Sequence, residues 1–454
     1  MNRFLVYALY NLLLPVVLVV GFPRFVMKGI QRGGLARNFR QRLGHYLPEV
    51  REKLARPGNL WIHAVSVGEV IVALKLIREL RRQSPDANLV LSTTTTTGFR
   101  LAEIETEPDR DHLTVIHNPV DLPWITLRVL RLLRPERLVL VEAEVWPNLV
   151  RQARGLGIPV VLVNARLSDR SERRFQRFGS LTRVIFSQID RVGVPFEGDV
   201  ERWASLGIPS DRISLTGSVK FDETHEARPD AQVAELRTWL TDHGLPANAR
   251  LLLAGSTHAG EEALIGRAYL RLRERFSDLA YVVVPRHAER AREVVGDLRE
   301  LGFSPILKAP VRIGDESSLN GDNAEKSGDD ISVWIANTTG ELRAWYFLSD
   351  VVIVGKSLLG RGGQNPVEPI VAGKPLIVGP HMQNFRAIVN DLVSADGLRQ
   401  ISDIEAETLT EAIARFLSDP SAGEALAKRG ETALSRHRGA AARTATLILQ
   451  NKGE

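Results

Sequence analysis

The sequence predicts an α/β protein built from two domains with parallel sheets, preceded by an apolar helix. Two observations predict the domains: 454 residues are too many for one compact core, and short apolar runs alternate with amphipathic helical patterns twice along the chain. A third, the uncharged run at residues 4–22, predicts the helix. With 44% hydrophobic and 25% charged residues, the composition is that of an ordinary globular protein.

Eight apolar runs are typical of buried parallel strands, each followed by polar or glycine-bearing residues. In chain order they are "NLWIHAV", "ANLVLST", "RLVLVEAE", "PVVLVNAR", "ARLLLAGS", "LAYVVVPR", "DVVIVGKS" and "KPLIVGP". The alternation restarts after a polar, proline-containing stretch at residues 217–237. We therefore expect two Rossmann-like domains, at residues 26–216 and 238–435, joined by a linker at 217–237 and followed by a tail or helix at 436–454.

The N-terminal segment, residues 1–25, is predicted to anchor the chain in a membrane. As a helix, its uncharged run would span roughly 28 Å, close to the thickness of the hydrocarbon core. A cleaved signal peptide usually has a shorter apolar region followed by a small-residue cleavage site, and no clear site follows here. A buried or interfacial helix is the other alternative, since Asn11 and Pro15 interrupt the run.

Basic residues flank this segment unequally. Only Arg3 precedes it, whereas six basic residues follow within about 20 positions: Arg24, Lys28, Arg32, Arg37, Arg40 and Arg42. The positive-inside rule then places the rest of the chain in the cytoplasm. We also expect this basic cluster to lie against anionic headgroups.

Composition excludes several classes of function. The chain has no cysteine, which rules out disulfides, thiol nucleophiles and thiolate zinc sites. Its net charge of +5 suits an anionic partner, but no zinc finger, RNP motif or basic stripe indicates nucleic acid. "VGKS" at 354–357 is not a P-loop, because Asp350 stands where the motif requires glycine.

Unusual polar residues follow almost every predicted strand. The ends of strands in the first half carry His63 to Glu69, the threonine run from Thr93, and Glu142 with Glu144. Because ligands of open parallel sheets bind beyond the carboxyl ends of the strands, we expect a long cleft between the two domains.

Glu69 has two interpretations. Ser66 and Glu69 have the Ser-x-x-Glu spacing of a helix capping box, which would make Glu69 a local structural residue. Alternatively, Glu69 is the working carboxylate of an enzyme.

A set of motifs carries a resemblance to a known family. In order they are "HAVSVGE", "VEAEVWPNL", "NARLSDRS", "TGSVKFD", "AGSTHAGEE", "VPRHAER", "GGQNPVEP" and "GPHMQNF". The chain resembles, up to about residue 385, the 3-deoxy-D-manno-octulosonic acid (Kdo) transferases of lipopolysaccharide (lipid A core) biosynthesis. The resemblance implies a glycosyltransferase-B (GT-B) fold, with two Rossmann-like domains facing an interdomain cleft.

The resemblance also implies a reaction. Kdo would pass with inversion from CMP-Kdo to a lipid A precursor of the lipid IVA type at the cytoplasmic face of the inner membrane, without a metal or another cofactor. The expected partners are CMP-Kdo, the lipid acceptor and inner-membrane lipids, with no nucleic acid. Alternatives are another GT-B enzyme using a different nucleotide sugar and lipid acceptor, or a non-catalytic binding protein descended from such enzymes.

Site residues follow by resemblance. Glu69 would be the general base, kept ionised by its position at a helix N-terminus, and Glu142 with Lys220 would stabilise the transition state. Glu144 is expected to be a structural or surface partner. CMP binding is expected at nine positions: Pro285, Arg286, Gly340, Glu341, Leu342, Asn365, Pro366, Val367 and Glu368.

Two positions depart from the family pattern. Lys356 stands where the family usually has glycine, and Gln364 stands where it usually has histidine. The first adds a charge near the expected cleft, and the second removes a side chain that could be protonated.

Overall fold

The computed structural model describes residues 3–31, 35–109, 111–167, 169–222, 228–310 and 331–450, with side chains described outside 21–38 and 169–170. The chain divides into two compact units. Unit 1 contains Met1–Thr224 and His437–Glu454, and unit 2 contains His225–Arg436. The domain limits inferred from the sequence remain predictions.

Each unit has a parallel sheet of seven strands. The order is β3-β2-β1-β4-β5-β6-β7 in unit 1 and β10-β11-β9-β8-β12-β13-β14 in unit 2. The strands are β1 Asn59–Ala64, β2 Asn88–Thr93, β3 Leu113–His117, β4 Arg137–Val141, β5 Val160–Val163, β6 Arg191–Val194, β7 Ile213–Leu215, β8 Arg250–Thr257, β9 Leu279–Pro285, β10 Phe303–Leu307, β11 Ile331–Ile335, β12 Val351–Val354, β13 Leu376–Val378 and β14 Arg399–Gln400.

Helices connect the strands. They are α1 Arg3–Gln31, α2 Leu35–Arg42, α3 Pro48–Leu54, α4 Val67–Gln83, α5 Thr96–Glu105, α6 Pro123–Leu133, α7 Pro147–Gly155, α8 Asp169–Arg177, α9 Gly179–Phe186, α10 Glu197–Ser205, α11 Asp230–Asp242, α12 Glu261–Arg275, α13 Ala291–Arg299, α14 Leu342–Leu348, α15 Val367–Val371, α16 Arg386–Ser394, α17 Ala406–Ser418, α18 Pro420–Leu434 and α19 Ala440–Leu449.

The central strands are almost entirely buried, as expected for parallel sheets covered by helices on both faces. β1 and β9 are buried at every position. The eight apolar runs of the sequence become β1, β2, β4, β5, β8, β9, β12 and β13, so these strand predictions are confirmed. The sequence prediction missed β3, β6, β7, β10, β11 and β14.

Each sheet has a switch point where consecutive connections leave in opposite directions, and ligands of open parallel sheets bind at such points. In unit 1 the order reverses between β1 and β4, and in unit 2 between β8 and β12. Neighbouring loops diverge there and leave a crevice at the carboxyl ends of the strands. The polar residues after β1 and β4 therefore lie at the switch point of unit 1.

Candidate active site

Glu69 lies in the first turn of α4, directly after β1. The N-cap of α4 is Ser66, whose Oγ accepts a hydrogen bond from the Glu69 amide at 3.3 Å. In return, Glu69 Oε1 accepts from Ser66 Oγ at 2.8 Å, and Oε2 accepts from the Val65 amide at 2.7 Å. The capping box is therefore present, with the carboxylate reaching the Val65 amide rather than that of Ser66.

Burial dominates the electrostatics of Glu69. The residue is 5% exposed, and burial raises the pKa of its carboxyl to about 7, against the lowering effect of the hydrogen bonds from Val65 and Ser66. The charges of Glu142 and Glu144 raise the same pKa further. The expectation that Glu69 stays ionised is thus corrected, because desolvation outweighs the helix dipole. Near neutral pH the group is poised to exchange a proton.

Glu142 and Glu144 follow β4, the neighbour of β1. The backbone of Glu142 has a φ of 60°, and its amide donates to the carbonyl of Val163 at 2.9 Å. This left-handed conformation is uncommon for a residue other than glycine, and such strain concentrates at functional sites. Burial raises the pKa of Glu144, and the Glu142 charge adds to that effect.

Lys220 lies in a short 3-10 turn, Val219–Phe221. Burial lowers the pKa of its ammonium, Arg166 lowers it further, and Glu142 raises it. Two side chains from other parts of unit 1 hold this turn. Asn164 Oδ1 accepts from the Val219 amide at 3.2 Å, and Lys75 Nζ donates to the Lys220 carbonyl at 3.2 Å. The structure therefore brings Glu69, Glu142 and Lys220 close enough for Glu142 to interact electrostatically with both of the others.

Asp222 was missed by the sequence analysis, although it belongs to the quoted "KFD" motif. Its buried carboxylate accepts from the amides of Gly439 at 2.9 Å and Ala441 at 2.7 Å, at the start of α19. His437 Nδ1 accepts from the Ser218 amide at 3.1 Å. Residues 437–441 thus hold the segment that carries Lys220. No local sequence pattern predicts a contact between segments so far apart in the chain.

The expected nucleotide residues of unit 2 follow the ends of neighbouring strands. Pro285 ends β9, and the Arg286 amide donates to the Thr257 carbonyl at 3.0 Å. Gly340, with a φ of 85°, and Glu341 precede α14, which begins at Leu342. Glu341 Oε1 accepts from Lys308 Nζ at 2.5 Å, so this carboxylate is already paired with a cation.

The remaining four nucleotide positions form the start of α15. Asn365 Nδ2 donates to Glu368 Oε1 at 2.8 Å, and Asn365 Oδ1 accepts from the Val367 amide at 3.1 Å. Pro366 is the buried N-cap residue. The strands before these groups are β11, β9 and β12, and β8 lies between β9 and β12 in the sheet. All nine positions therefore lie at the carboxyl edge of unit 2.

Glu261 fixes the loop after β12 and was also missed. It is fully buried, and its carboxylate accepts from the amides of Lys356 at 2.6 Å, Leu358 at 3.0 Å and Leu359 at 3.2 Å. Gly355 lies so near β8 that a Cβ there would be 2.4 Å from the carbonyl oxygen of Ser256. Only glycine fits at that position without a shift of the backbone.

Both departures from the family pattern lie on this loop. Lys356 has a φ of 56°, a conformation that glycine adopts without strain. Gln364 Nε2 lies 3.2 Å from His258 Nε2. The two substitutions therefore sit on the loop that also carries Asn365.

One face of α1 packs against unit 1. Tyr10 Oη donates to Asp121 Oδ2 at 2.8 Å, and Asn11 exchanges side-chain hydrogen bonds with Asn148 at 2.8 and 3.2 Å. Asp121 also accepts from the amides of Asn148 and Leu149 at the start of α7. The polar Asn11 that interrupts the apolar run therefore makes a tertiary contact.

The other face of α1 is apolar and exposed. Exposed side chains include Leu12, Leu13, Val16, Val19 and Val20. By length and composition, Arg3–Val20 is a candidate membrane span, the one such helix among the described residues. Such a face indicates contact with a membrane or a partner.

The basic cluster expected at headgroups needs one correction. Arg42 is 8% exposed, because its guanidinium turns into unit 1 and donates to the Thr94 carbonyl at 2.5 Å. Burial lowers its pKa to about 10. Arg40 is exposed, Arg32 lies outside the described residues, and the side chains of Arg24, Lys28 and Arg37 lie outside the described part.

The fold is GT-B-like. A UDP-GlcNAc 2-epimerase from Neisseria meningitidis aligns with a TM-score of 0.57, 13% identity and coverage of 87% of this chain and 100% of that one. A glycosyltransferase from Rickettsia africae aligns with a TM-score of 0.54, 12% identity and coverage of 87% and 99%. At these identities the likeness concerns the fold alone.

Similarity in sequence then gives the family. Residues 37–223 match the family model described as 3-deoxy-D-manno-octulosonic-acid transferase (kdotransferase). The chain is 32% identical to the 3-deoxy-D-manno-octulosonic acid transferase of Bordetella pertussis, over 86% of both chains. It is 31% identical to that of Haemophilus influenzae, over 86% of this chain and 87% of the relative. The chain belongs to the Kdo transferase family and is therefore a glycosyltransferase.

Proposed function

We propose that this enzyme transfers Kdo from CMP-Kdo to a lipid A precursor of the lipid IVA type, with inversion at the anomeric carbon. The observation that carries the proposal is Glu69, a buried carboxylate with a pKa of about 7 at the switch point of unit 1. A base with such a pKa is suited to take a proton from a sugar hydroxyl near neutral pH.

The proposed reaction is a single displacement. The acceptor hydroxyl oxygen bonds to the anomeric carbon of Kdo while Glu69 takes its proton, and the bond to CMP breaks so that CMP leaves with the electron pair. To accept the proton, Glu69 has to exchange its contact with Ser66 Oγ for one with the substrate hydroxyl. Lys220 contributes positive charge, and Glu142 favours the charged form of that lysine.

We assign CMP binding to the nine positions of unit 2 named above. Arg286 would pair with the phosphate, and Glu368 would accept from ribose hydroxyls. The enzyme would act at the cytoplasmic face of the inner membrane, held there by α1, a proposal supported by the exposed apolar face of that helix.

The direct test uses purified full-length protein with CMP-Kdo and a tetraacylated lipid A precursor. We expect the lipid to gain the mass of Kdo, with CMP released in equal amount. The anomeric configuration of the product, read by NMR, should be opposite to that of the donor. No product with CMP-Kdo, together with turnover of a UDP-sugar, would establish a different GT-B transferase.

A further inference from the structure

A cavity of about 390 Å³ lies in unit 1 between α1 and the loops that follow β2, β3 and β4. Its lining is largely apolar. It includes Leu14, Val17 and Leu18 of α1, together with Phe39 of α2 and Leu43 directly after α2. A volume of this size is within the range of pockets that hold a small ligand.

The cavity borders the exposed apolar face of α1. Leu14 is 8% exposed, Leu18 37% and Val17 65%. The cavity lining therefore extends from the face of α1 that packs against the rest of unit 1 to the exposed face. A lipid chain lying against the open face of α1 would therefore lie next to the apolar part of the cavity lining.

Part of the cavity lining belongs to the segment that carries Glu142. Trp146 lines it and is two residues from Glu144, in the segment that follows β4. Asp121, also in the lining, holds the start of α7 just after Trp146. The cavity thus connects α1 with the segment that carries Glu142.

Three polar atoms of the lining residues need a partner. Thr94 Oγ1, Asn118 Oδ1 and Trp146 Nε1 are buried and make no hydrogen bond within the described part of the protein. Buried polar atoms are normally satisfied, so groups like these indicate a missing polar ligand or water. A ligand that is mostly apolar and carries a few polar groups would satisfy both kinds of lining residue.

We propose that this cavity binds one acyl chain of the lipid acceptor, with the ester or amide that joins the chain to the sugar near Thr94, Asn118 and Trp146. The inference rests on the proposed function and deepens it, because it assigns the site that distinguishes an acylated acceptor from a bare sugar. Binding there would hold the sugar beside the segment of Glu142 while the lipid remains in contact with α1.

Leu18→Trp tests the proposal, because a larger side chain at this position reduces the cavity. Val19→Trp is the matched control, since Val19 is adjacent, 71% exposed and not part of the lining. We expect the preference in kcat/KM for the tetraacylated over the deacylated acceptor to fall about tenfold in L18W and to stay at the wild-type value in V19W. Equal preferences in the two variants would overturn the proposal.

A binding readout separates this proposal from the reaction itself. An acceptor analogue with a photoreactive diazirine on one acyl chain should label lining residues such as Leu14 and Leu122, several-fold less in L18W than in V19W. Labelling without any glycosylation by the wild type would reject the proposed function and leave the acyl site standing. Labelling by a diacyl phospholipid that the acceptor does not displace, or no labelling at all, would reject the assignment.

Discussion

Ser66 and Glu69 exchange two hydrogen bonds: the Glu69 amide donates to Ser66 Oγ at 3.3 Å, and Ser66 Oγ donates to Glu69 Oε1 at 2.8 Å. The bond from Ser66 Oγ to Glu69 Oε1 can break while the bond from the Glu69 amide to Ser66 Oγ remains. A substrate hydroxyl can therefore replace one partner of the carboxylate while the helix keeps its cap. The structural and catalytic interpretations of Glu69 are thus compatible.

Glu69→Gln should reduce transfer by about 100- to 10,000-fold, because the amide cannot take the proton. Binding of CMP, measured by calorimetry, should remain. At pH 8 the variant should melt at or above the wild-type temperature. Folding raises the pKa of the Glu69 carboxyl, so its protonated form stabilises the fold, and this contribution is lost as the pH rises through about 7. Glutamine has no charge to bury at pH 8. Glu79→Gln, on the same helix, is the control and should keep at least half of the activity.

The rate should follow the protonation of Glu69. Below a pH of about 7, kcat/KM for the acceptor should fall tenfold per pH unit, and above it the rate should level off. Glu142→Gln removes a charge that raises the pKa of Glu69, so the acidic limb of its residual activity should move to lower pH. If the acidic limb of the pH–rate profile of Glu142→Gln stays at the wild-type pH, Glu69 and Glu142 are not electrostatically coupled.

Lys220→Met should lower kcat by about 100- to 1,000-fold, the effect of removing one charge-stabilising group from a transition state. Lys220→Arg should recover part of that loss, because it restores the charge with a different geometry. Lys428→Met, at an exposed position, serves as the control for loss of a lysine. Single-turnover rates would separate chemistry from product release.

Arg286→Ala should raise KM for CMP-Kdo at least tenfold and leave KM for the lipid acceptor within about twofold, since we assign Arg286 to the phosphate of the donor. Arg299→Ala at the exposed end of α13 is the comparison variant. If both substrates lose affinity equally, Arg286 does not act on the nucleotide alone.

Asp222→Ala should destabilise unit 1 by about 3 kcal/mol, because it leaves two partly buried amides at the start of α19 without an acceptor. Urea unfolding and hydrogen exchange of α19 would measure the loss. Activity should fall as well, since the same segment carries Lys220. Asp230→Ala, at an exposed position, should change stability by less than about 0.5 kcal/mol.

The sequence was sufficient for features whose signal is local. Apolar runs predicted eight buried strands, and the Ser66-x-x-Glu69 spacing predicted the cap of α4. Other features depend on contacts between distant parts of the chain. Glu261 meets amides about a hundred positions later, and Asn11 meets Asn148, which is 137 positions later. No periodicity or spacing encodes such pairs.

The pKa of Glu69 shows the same limit at the site. The sequence placed the carboxylate correctly at the first turn of a helix, where the dipole favours its charge. Its burial depends on side chains contributed by the whole unit, and burial reverses the expected direction.

The return of the last helix to unit 1 has a consequence for synthesis on the ribosome. Residues 225–436 are continuous in sequence and emerge as one piece, whereas unit 1 lacks α19 until residues 440–449 have been made. Unit 2 can therefore complete its fold before unit 1. Until α19 is made, the apolar surface of α4 that α19 covers stays exposed. A nascent chain stalled before residue 437 would expose this surface of α4 and depend on chaperones.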